Sequence, residues 1–291
     1  MKKNEGWQPK PNVNWPREST LSDHTPLFYA ENKDRFLRQT LIRDIQQLTG
    51  RPLVVYFASP FLRSSIRTED VRRLAEVIAP LGSQSFDLLI ETDGGETDAT
   101  EAIVSYLKSC ATDGFRVIVP LRAKSNGTLI CLAAESILMG PTSELGPIEP
   151  SVDSVPVSIL THQDYAQKDV RLSLEASFAY KQTRSLAKSL LERGMMSEHK
   201  DHIDNTVDAL CTREHYSSHG AVIDCEEAKR LKLNVEQLDE ASELWRKIFL
   251  LHCFYSYDST ARDISKFFEQ QTFSQSVEGD DPPLLLGEQR E

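Results

Sequence analysis

A serine and a pair of glycines stand at two places where a buried strand is expected to end. Gly94 and Gly95 follow a predicted strand over 87–91, and Ser125 follows one over 116–120. Glycine allows unusual backbone dihedral angles, so N–H groups in such a loop can point away from the sheet. A serine at a helix start lies beside free N–H groups that stabilise negative charge. Together these residues predict an acyl-transfer site in which the Ser125 hydroxyl attacks and N–H groups hold the oxyanion.

Each of these residues also has a purely structural interpretation. A serine at the start of a helix most often caps that helix, and a glycine pair after a strand most often forms a turn. The spacing alone therefore leaves catalysis and local structure open as alternatives.

Alternating strands and helices must position the three residues. Strands are predicted over 53–57, 87–91, 116–120 and 136–139, and helices over 33–49, 68–81 and 97–108 and from 125 onward. This alternation predicts a parallel sheet with right-handed crossovers. Because the carboxyl ends of parallel strands share one edge, we expect both strand-to-helix junctions in the same crevice.

The pattern becomes mainly helical after residue 156. Helices are predicted over 163–193, 197–213 and 226–231, and a final amphipathic helical region over 244–268. The organisation predicted for the whole chain is a flexible N-terminal arm (1–25), a main α/β domain (26–240), a C-terminal helical region (241–269) and a flexible acidic tail (270–291).

Composition narrows the class of protein. The 291 residues carry a net charge of −11, which disfavours a nucleic-acid surface because phosphate binding needs clustered Lys and Arg. No apolar run is long enough to span a membrane, and no secretory signal core appears, so a cytoplasmic location is expected. The five cysteines are widely spaced without metal-ligand patterns, so we expect reduced thiols, no metal and no cofactor.

Several longer motifs resemble a known family. They are Asp87-Leu-Leu-Ile-Glu-Thr-Asp-Gly-Gly, Arg116-Val-Ile-Val-Pro and Ala123-Lys-Ser-Asn-Gly-Thr. They resemble the Clp-protease/crotonase superfamily, and most closely the serine dehydrogenase proteinase family, which is similar to signal peptide peptidase A and the Clp proteolytic subunit. The resemblance is best over 53–152 and looser to 235. It implies a spiral of repeated ββα units with a helical C-terminal extension, and it makes 26–240 a serine peptidase domain.

The resemblance also assigns roles to individual residues. It makes Ser125 the nucleophile, and it places the oxyanion hole at the Gly94 and Gly95 backbone and the Asn126 N–H. A polypeptide would then be hydrolysed through an acyl-enzyme on Ser125.

Three positions depart from the family pattern. Asp93 replaces the proline that usually precedes the two glycines, and a carboxylate there could repel the oxyanion intermediate. Lys124 and Asn126 stand where small or apolar residues are usual.

The general base has two candidates. The Clp proteolytic subunit uses a Ser-His-Asp triad, and an ungapped alignment puts its histidine position at Glu149. The peptidase A relatives use a Ser-Lys dyad, and Lys168 lies 43 residues after Ser125 in a plausible region. Both have structural alternatives, because Lys168 could be a solvated helix lysine and Glu149 a capping acid. A lysine base would need burial to lower its pKa.

Two other functions remain open at this point. The departures at Asp93, Lys124 and Asn126, together with the missing histidine, are compatible with a catalytically inactive scaffold or regulatory subunit. A crotonase-type enzyme would instead bind acyl-CoA and use the paired N–H groups without a nucleophilic serine. Protection of the protein by CoA in a thermal shift assay would separate that enzyme from a peptidase.

The expected partners follow from the resemblance. It implies a polypeptide substrate and assembly into a homo-oligomer. Because the sequence has no GxxxxGK[ST] motif, unfolding of folded substrates would need a separate ATPase or regulatory partner.

Overall fold

A seven-stranded sheet runs through the middle of the protein. The computed structural model describes residues 25–111, 114–153 and 155–279, so the predicted arm before residue 25 and the predicted tail beyond 279 lie outside the described residues. The strands of the sheet, in spatial order, are β11 (Ser274–Glu278), β10 (Ile264–Glu269), β1 (Leu53–Ala58), β2 (Phe86–Glu91), β3 (Phe115–Val119), β5 (Ile137–Met139) and β9 (Val235–Gln237).

The centre of the sheet is parallel. β1, β2, β3, β5 and β9 pair with their neighbours in parallel, whereas β10 is antiparallel to β1 and β11 is antiparallel to β10. The mixed α/β fold predicted from the strand–helix alternation is therefore confirmed. Short strands form two further pairs, which are β4 (Arg122–Ala123) with β6 (Glu144–Leu145) and β7 (Ser151–Val152) with β8 (Val155–Pro156).

Helices cover both faces of the sheet. They are α1 (Pro26–Glu31), α2 (Lys33–Thr49), α3 (Thr68–Ile78), α4 (Thr97–Cys110), α5 (Asn126–Leu132), α6 (Val157–Leu160), α7 (Gln163–Ala166), α8 (Val170–Arg193), α9 (Ile203–Cys211), α10 (Cys225–Arg230) and α11 (Glu243–Arg262). One face packs against α2 and α11, and the other packs against α3, α4, α5, α8, α9 and α10.

Strand β1 illustrates why the sheet needs two helical layers. Its six residues are all buried, and because side chains alternate across a strand they divide between two apolar clusters. Val54 and Tyr56 belong to the larger cluster, whereas Val55 and Phe57 belong to the cluster under α2 and α11. A near-continuous apolar run of this kind is typical of a parallel strand covered on both faces.

The C-terminal part of the chain differs from the prediction. Helix α11 ends at Arg262, Asp263 takes a left-handed conformation, and β10 and β11 follow. The prediction of a helix to residue 268 was therefore wrong after Arg262, and the start of the predicted flexible tail contains a strand. Adjacent Phe267 and Phe268 are buried in opposite apolar clusters, which alternation along a strand allows.

Two predicted helices are also shorter than expected. The pattern over 163–193 is interrupted between α7 and α8, where the Asp169 carboxylate accepts the Leu172 N–H at 2.9 Å and caps α8. In the region 197–213, the α-helix begins only at Ile203.

Candidate active site

Ser125 sits at a strained backbone position between β4 and α5. Its φ of 52° and ψ of −118° lie in a region that residues other than glycine rarely adopt. Its hydroxyl makes no capping hydrogen bond to α5. A serine that only capped the helix would have an extended backbone and a bonded side chain. Strain of this kind clusters at functional sites, where the surrounding structure holds it in place.

The loop that carries Gly94 and Gly95, here called the glycine loop, lies directly against Ser125. Backbone hydrogen bonds from Thr92 N to the Arg122 carbonyl (3.1 Å) and from Lys124 N to the Thr92 carbonyl (2.9 Å) hold the two junctions together. Gly94 has a φ of 110°, and a Cβ there would lie 2.8 Å from the Cβ of Ser125. Glycine is therefore required at position 94 by both conformation and space.

Two N–H groups beside Ser125 have no hydrogen-bond acceptor among the residues described. The N–H groups of Gly95 and Asn126 donate to no protein atom in this part of the chain, whereas the Gly94 N–H donates to the Thr92 hydroxyl at 3.0 Å. The donors available to an oxyanion are accordingly those of Gly95 and Asn126. Gly94 provides room for Ser125, and its own N–H is already used.

The Asn126 side chain holds the glycine loop in position. Its Nδ2 donates to the Gly95 carbonyl and lies 3.4 Å from the Thr97 hydroxyl. The small or apolar residue that is usual at this position could not make the bond to Gly95. This departure from the family pattern therefore holds Gly95, the residue that carries one of the two free donors, through its carbonyl.

The Lys124 ammonium fastens three segments together. It donates to the carbonyls of Leu145 (3.1 Å) and Ala221 (3.0 Å) and lies 3.2 Å from a Glu144 carboxylate oxygen. Burial lowers the pKa of Lys124, and Glu144 opposes that shift. An ammonium has three N–H donors, and all three have partners here. Lys124 therefore has a positioning role beside the serine.

The two predicted base candidates lie in different environments. Glu149 is buried, and its two oxygens accept from Arg213 Nε (2.6 Å) and from the Ser158 N–H (3.0 Å). Lys168 is exposed in the turn between α7 and α8, and its ammonium has no partner within the described ranges. No hydrogen bond among the described residues joins either side chain to Ser125.

His219 is a titratable residue near the site that sequence reasoning passed over. Partial loss of solvent around the ring lowers the pKa of His219. The charge of Glu149 opposes this shift, and the charges of Arg213 and Lys124 add to it. The carbonyl of Ala221, two residues later, accepts from Lys124. The sequence offered one signal, since His219 lies in the part of the chain, up to residue 235, where the family resemblance is looser.

The sequence also matches a known protein family. Residues 47–275 match the ClpP-like SDH-type serine proteinases. The chain belongs to this family. The resemblance indicated by the glycine and serine motifs is confirmed.

Two curated relatives come from Methanocaldococcus jannaschii, and both are named as uncharacterized proteins. MJ0137 is 29% identical over 175 residues, which cover 59% of this chain and 60% of the relative. MJ1495 is 36% identical over 89 residues, which cover 31% of this chain and 30% of the relative. The matched part of this chain thus spans less than two thirds of either relative.

Two solved structures are similar over most of the chain. A mutant of ClpP1 from Listeria monocytogenes aligns with a TM-score of 0.43 and 16% identity, covering 68% of this chain and 98% of its own. A mutant of the 1510-N membrane-bound stomatin-specific protease aligns with a TM-score of 0.42 and 17% identity, covering 63% and 79%.

A cavity of about 600 Å³ opens beside Glu149. Val157, Tyr180 and Cys211 provide apolar walls, and Arg213 contributes the charged partner of Glu149. The cavity lies between α6, α8 and the end of α9, and Glu149 is near enough to His219 to affect its pKa.

The described residues contain neither a metal-binding cluster nor a membrane-spanning helix. Within residues 25–111, 114–153 and 155–279, no group of three or more His, Cys, Asp and Glu is placed to hold a metal ion. No helix in those ranges combines the length and apolarity needed to cross a bilayer.

Proposed function

We propose that this protein is a serine peptidase that hydrolyses peptide bonds through an acyl-enzyme on Ser125. The observation that carries the proposal is the strained backbone of Ser125 beside the two free N–H groups of Gly95 and Asn126. Membership of a serine proteinase family supports the same reaction. In this proposal Gly94 provides space for the nucleophile, as its contact with Ser125 requires.

The reaction has two steps. In the first, Ser125 Oγ forms a bond to the scissile carbonyl carbon, its proton passes to a general base, and the oxyanion accepts from Gly95 and Asn126. The C–N bond then breaks, and the departing amine takes the proton from the base. In the second step, water attacks the ester in the same way and releases the peptide acid and the free hydroxyl.

The cavity beside Glu149 supports a polypeptide substrate. Its volume of about 600 Å³ and its apolar walls at Val157, Tyr180 and Cys211 suit a large apolar side chain of the substrate. The proposal therefore places an apolar residue of the substrate in this cavity while its backbone lies across Ser125.

An exposed apolar stripe on α8 supports the homo-oligomer in this proposal. Val170, Leu174 and Phe178 are 63%, 53% and 64% exposed, and their spacing of four residues puts them on one side of the helix. Apolar side chains grouped on a surface are typical of contact sites between proteins. A cytoplasmic location and a separate ATPase partner stay predictions.

Labelling with a fluorophosphonate probe tests the nucleophile directly. Wild-type protein is expected to gain one phosphonyl adduct, because Ser125 Oγ forms a bond to phosphorus as fluoride leaves. Ser125→Ala is expected to gain none. Intact mass spectrometry measures the adduct, and peptide mapping locates it.

Ser136→Ala is a matched control, since this serine lies in the same sheet domain outside the site and should leave labelling unchanged. A folded wild-type protein that is never labelled would contradict the peptidase and favour the inactive scaffold. The lack of any base hydrogen-bonded to Ser125 among the described residues is the observation behind that alternative.

The pH dependence of labelling distinguishes the base candidates. Because the pKa of His219 is lowered by its surroundings, a His219 base would be neutral, and labelling maximal, already at neutral pH. The rate would then fall as the pH is lowered and the imidazole becomes protonated, and His219→Gln would lower it by about 10²-fold or more. Lys168→Ala would leave the rate unchanged.

The reverse result, with labelling rising on the alkaline side and lost in Lys168→Ala, would assign the proton to Lys168 and exclude His219. Glu149→Gln provides a third comparison, since it keeps the shape of the side chain but weakens the bond from Arg213.

A further inference from the structure

Asp93 places a carboxylate next to the oxyanion donors. It directly precedes Gly94, and its side chain is 46% exposed. A negative charge near an anionic intermediate raises the energy of that intermediate. An enzyme with this residue needs a nearby positive charge to neutralise it.

Arg122 supplies a positive charge at this place. Its Nη1 lies 3.4 Å from Asp93 Oδ1, and its Nε lies 4.0 Å from Glu91 Oε1. The guanidinium therefore lies between two carboxyl groups, one on the glycine loop and one inside the protein. Its own backbone N–H donates to Glu91 Oε2 at 3.2 Å, which fixes the position of Glu91 relative to β4.

Glu91 is buried without full hydrogen bonding. Its side chain has no exposed surface, and Oε1 has no hydrogen-bond partner in the described parts of the protein. Burial, with smaller contributions from Asp93 and Glu144, raises the pKa of Glu91 to about 8 against the opposing effect of Arg122. At neutral pH the group is therefore mostly protonated, and a neutral carboxyl group attracts the Arg122 guanidinium only weakly.

His252 faces Glu91 from α11 on the other side. Its Nδ1 lies 3.6 Å from Glu91 Oε2 and has no hydrogen-bond partner among the described residues. Burial lowers the pKa of His252 to about 4, so the imidazole is neutral at neutral pH. Glu144, the remaining charged group near Glu91, is paired with Lys124. An ionised Glu91 would therefore pair with Arg122.

We propose that Arg122 is a positioning residue that neutralises Asp93 beside the oxyanion donors, and that buried Glu91 controls how much of this charge reaches Asp93. This inference rests on the proposed peptidase function. While Glu91 is protonated, the positive charge of Arg122 neutralises Asp93 alone. Once Glu91 ionises, it competes for Arg122, and the Asp93 charge then opposes the oxyanion.

The rate of fluorophosphonate labelling, followed across pH, tests the role of Glu91. The wild-type rate is expected to fall above about pH 8, where Glu91 ionises. Glu91→Gln cannot ionise, so its rate relative to wild type should rise by roughly tenfold between neutral pH and pH well above 8. Glu101→Gln, which changes an exposed carboxylate on α4, should follow wild type at every pH. A wild-type alkaline fall that persists unchanged in Glu91→Gln would overturn the proposal.

A double-mutant cycle tests the link between Arg122 and Asp93. Arg122→Gln should slow labelling by roughly tenfold, and adding Asp93→Asn should recover most of the lost rate because no carboxylate then needs neutralising. A merely structural role of Arg122 would not be rescued by a change at Asp93. Equal rates for Arg122→Gln and the double variant would therefore overturn the proposal.

Infrared titration of the Ser125→Ala protein separates this inference from the proposed function. The C=O stretch of a protonated carboxyl group should be present at neutral pH, disappear above about pH 8 and be missing in Glu91→Gln. Absence of this band would overturn the inference even if wild-type protein is labelled. Its presence in a protein that is never labelled would support the arrangement of charges and contradict the peptidase.

Discussion

Gly94→Ala is expected to slow fluorophosphonate labelling of Ser125 by about 10²-fold while the protein remains folded. The new Cβ would lie 2.8 Å from Ser125 Cβ, 3.1 Å from the Lys124 carbonyl and 3.2 Å from Asn126 N. Two of these atoms belong to the proposed nucleophile and to a proposed oxyanion donor, so relief of the contact must move both groups. A displacement of about 1 Å is enough for a loss of that size.

Gly82→Ala is the matched control for this prediction. Gly82 also has a positive φ, 71°, but no atom lies within 4 Å of its added Cβ. Both variants therefore pay a similar cost in backbone strain, and only Gly94→Ala disturbs Ser125. Labelling rates and thermal melts of the two proteins separate the effects. If both variants are labelled at the same rate, the contact between the glycine loop and the serine does not exist in solution.

The sequence predicted the central elements well because their signals are local. Strand β1 and helix α2 appear within short windows of apolar spacing, and α2 ends at the left-handed Gly50. The approach of the glycine loop to Ser125 was predictable as well. In a parallel sheet, two successive strand-to-helix junctions open on the same edge.

The surroundings of the serine were not predictable in the same way. The neighbours of Lys124 include the Ala221 carbonyl, 97 residues away in the chain, and Arg213 reaches Glu149 across 64 residues. No periodicity in the sequence encodes such contacts, so His219 could not be placed near the site. Asp93, the third departure from the family pattern, pairs with Arg122. That arginine lies at the neighbouring strand-to-helix junction, 29 residues away in the chain.

Strand β10 was missed for a different reason. Its sequence Ile264-Ser-Lys-Phe-Phe-Glu continues the apolar spacing of α11, so it could extend a helix as well as form a strand. What decides the outcome is pairing with β1, a partner about 200 residues earlier in the chain. Asp263 reverses the chain direction with a left-handed backbone, which its short polar side chain tolerates.

A buried ion pair fixes β10 against the helix layer. Lys266 Nζ lies 3.0 Å from both carboxylate oxygens of Asp70 in α3, and the Tyr56 hydroxyl donates to the same carboxylate at 2.7 Å. The Asp70 carboxylate also accepts the Arg67 N–H at 2.9 Å, at the start of α3. Both charged side chains are nearly inaccessible to solvent, so each depends on the other for neutralisation.

Lys266→Ala is expected to lower the free energy of unfolding by roughly 3–5 kcal/mol, because it leaves the Asp70 charge buried without its cation. Urea denaturation measures the change. Lys188→Ala is the control, since its pair with Asp204 is exposed and the same deletion should cause no measurable loss of stability. Lys266→Met combined with Asp70→Asn removes both charges and should recover part of the stability that Lys266→Ala loses. If Lys266→Ala were as mild as Lys188→Ala, β10 would not lie against α3 in the folded protein, and the pairing of β10 with β1 would be wrong.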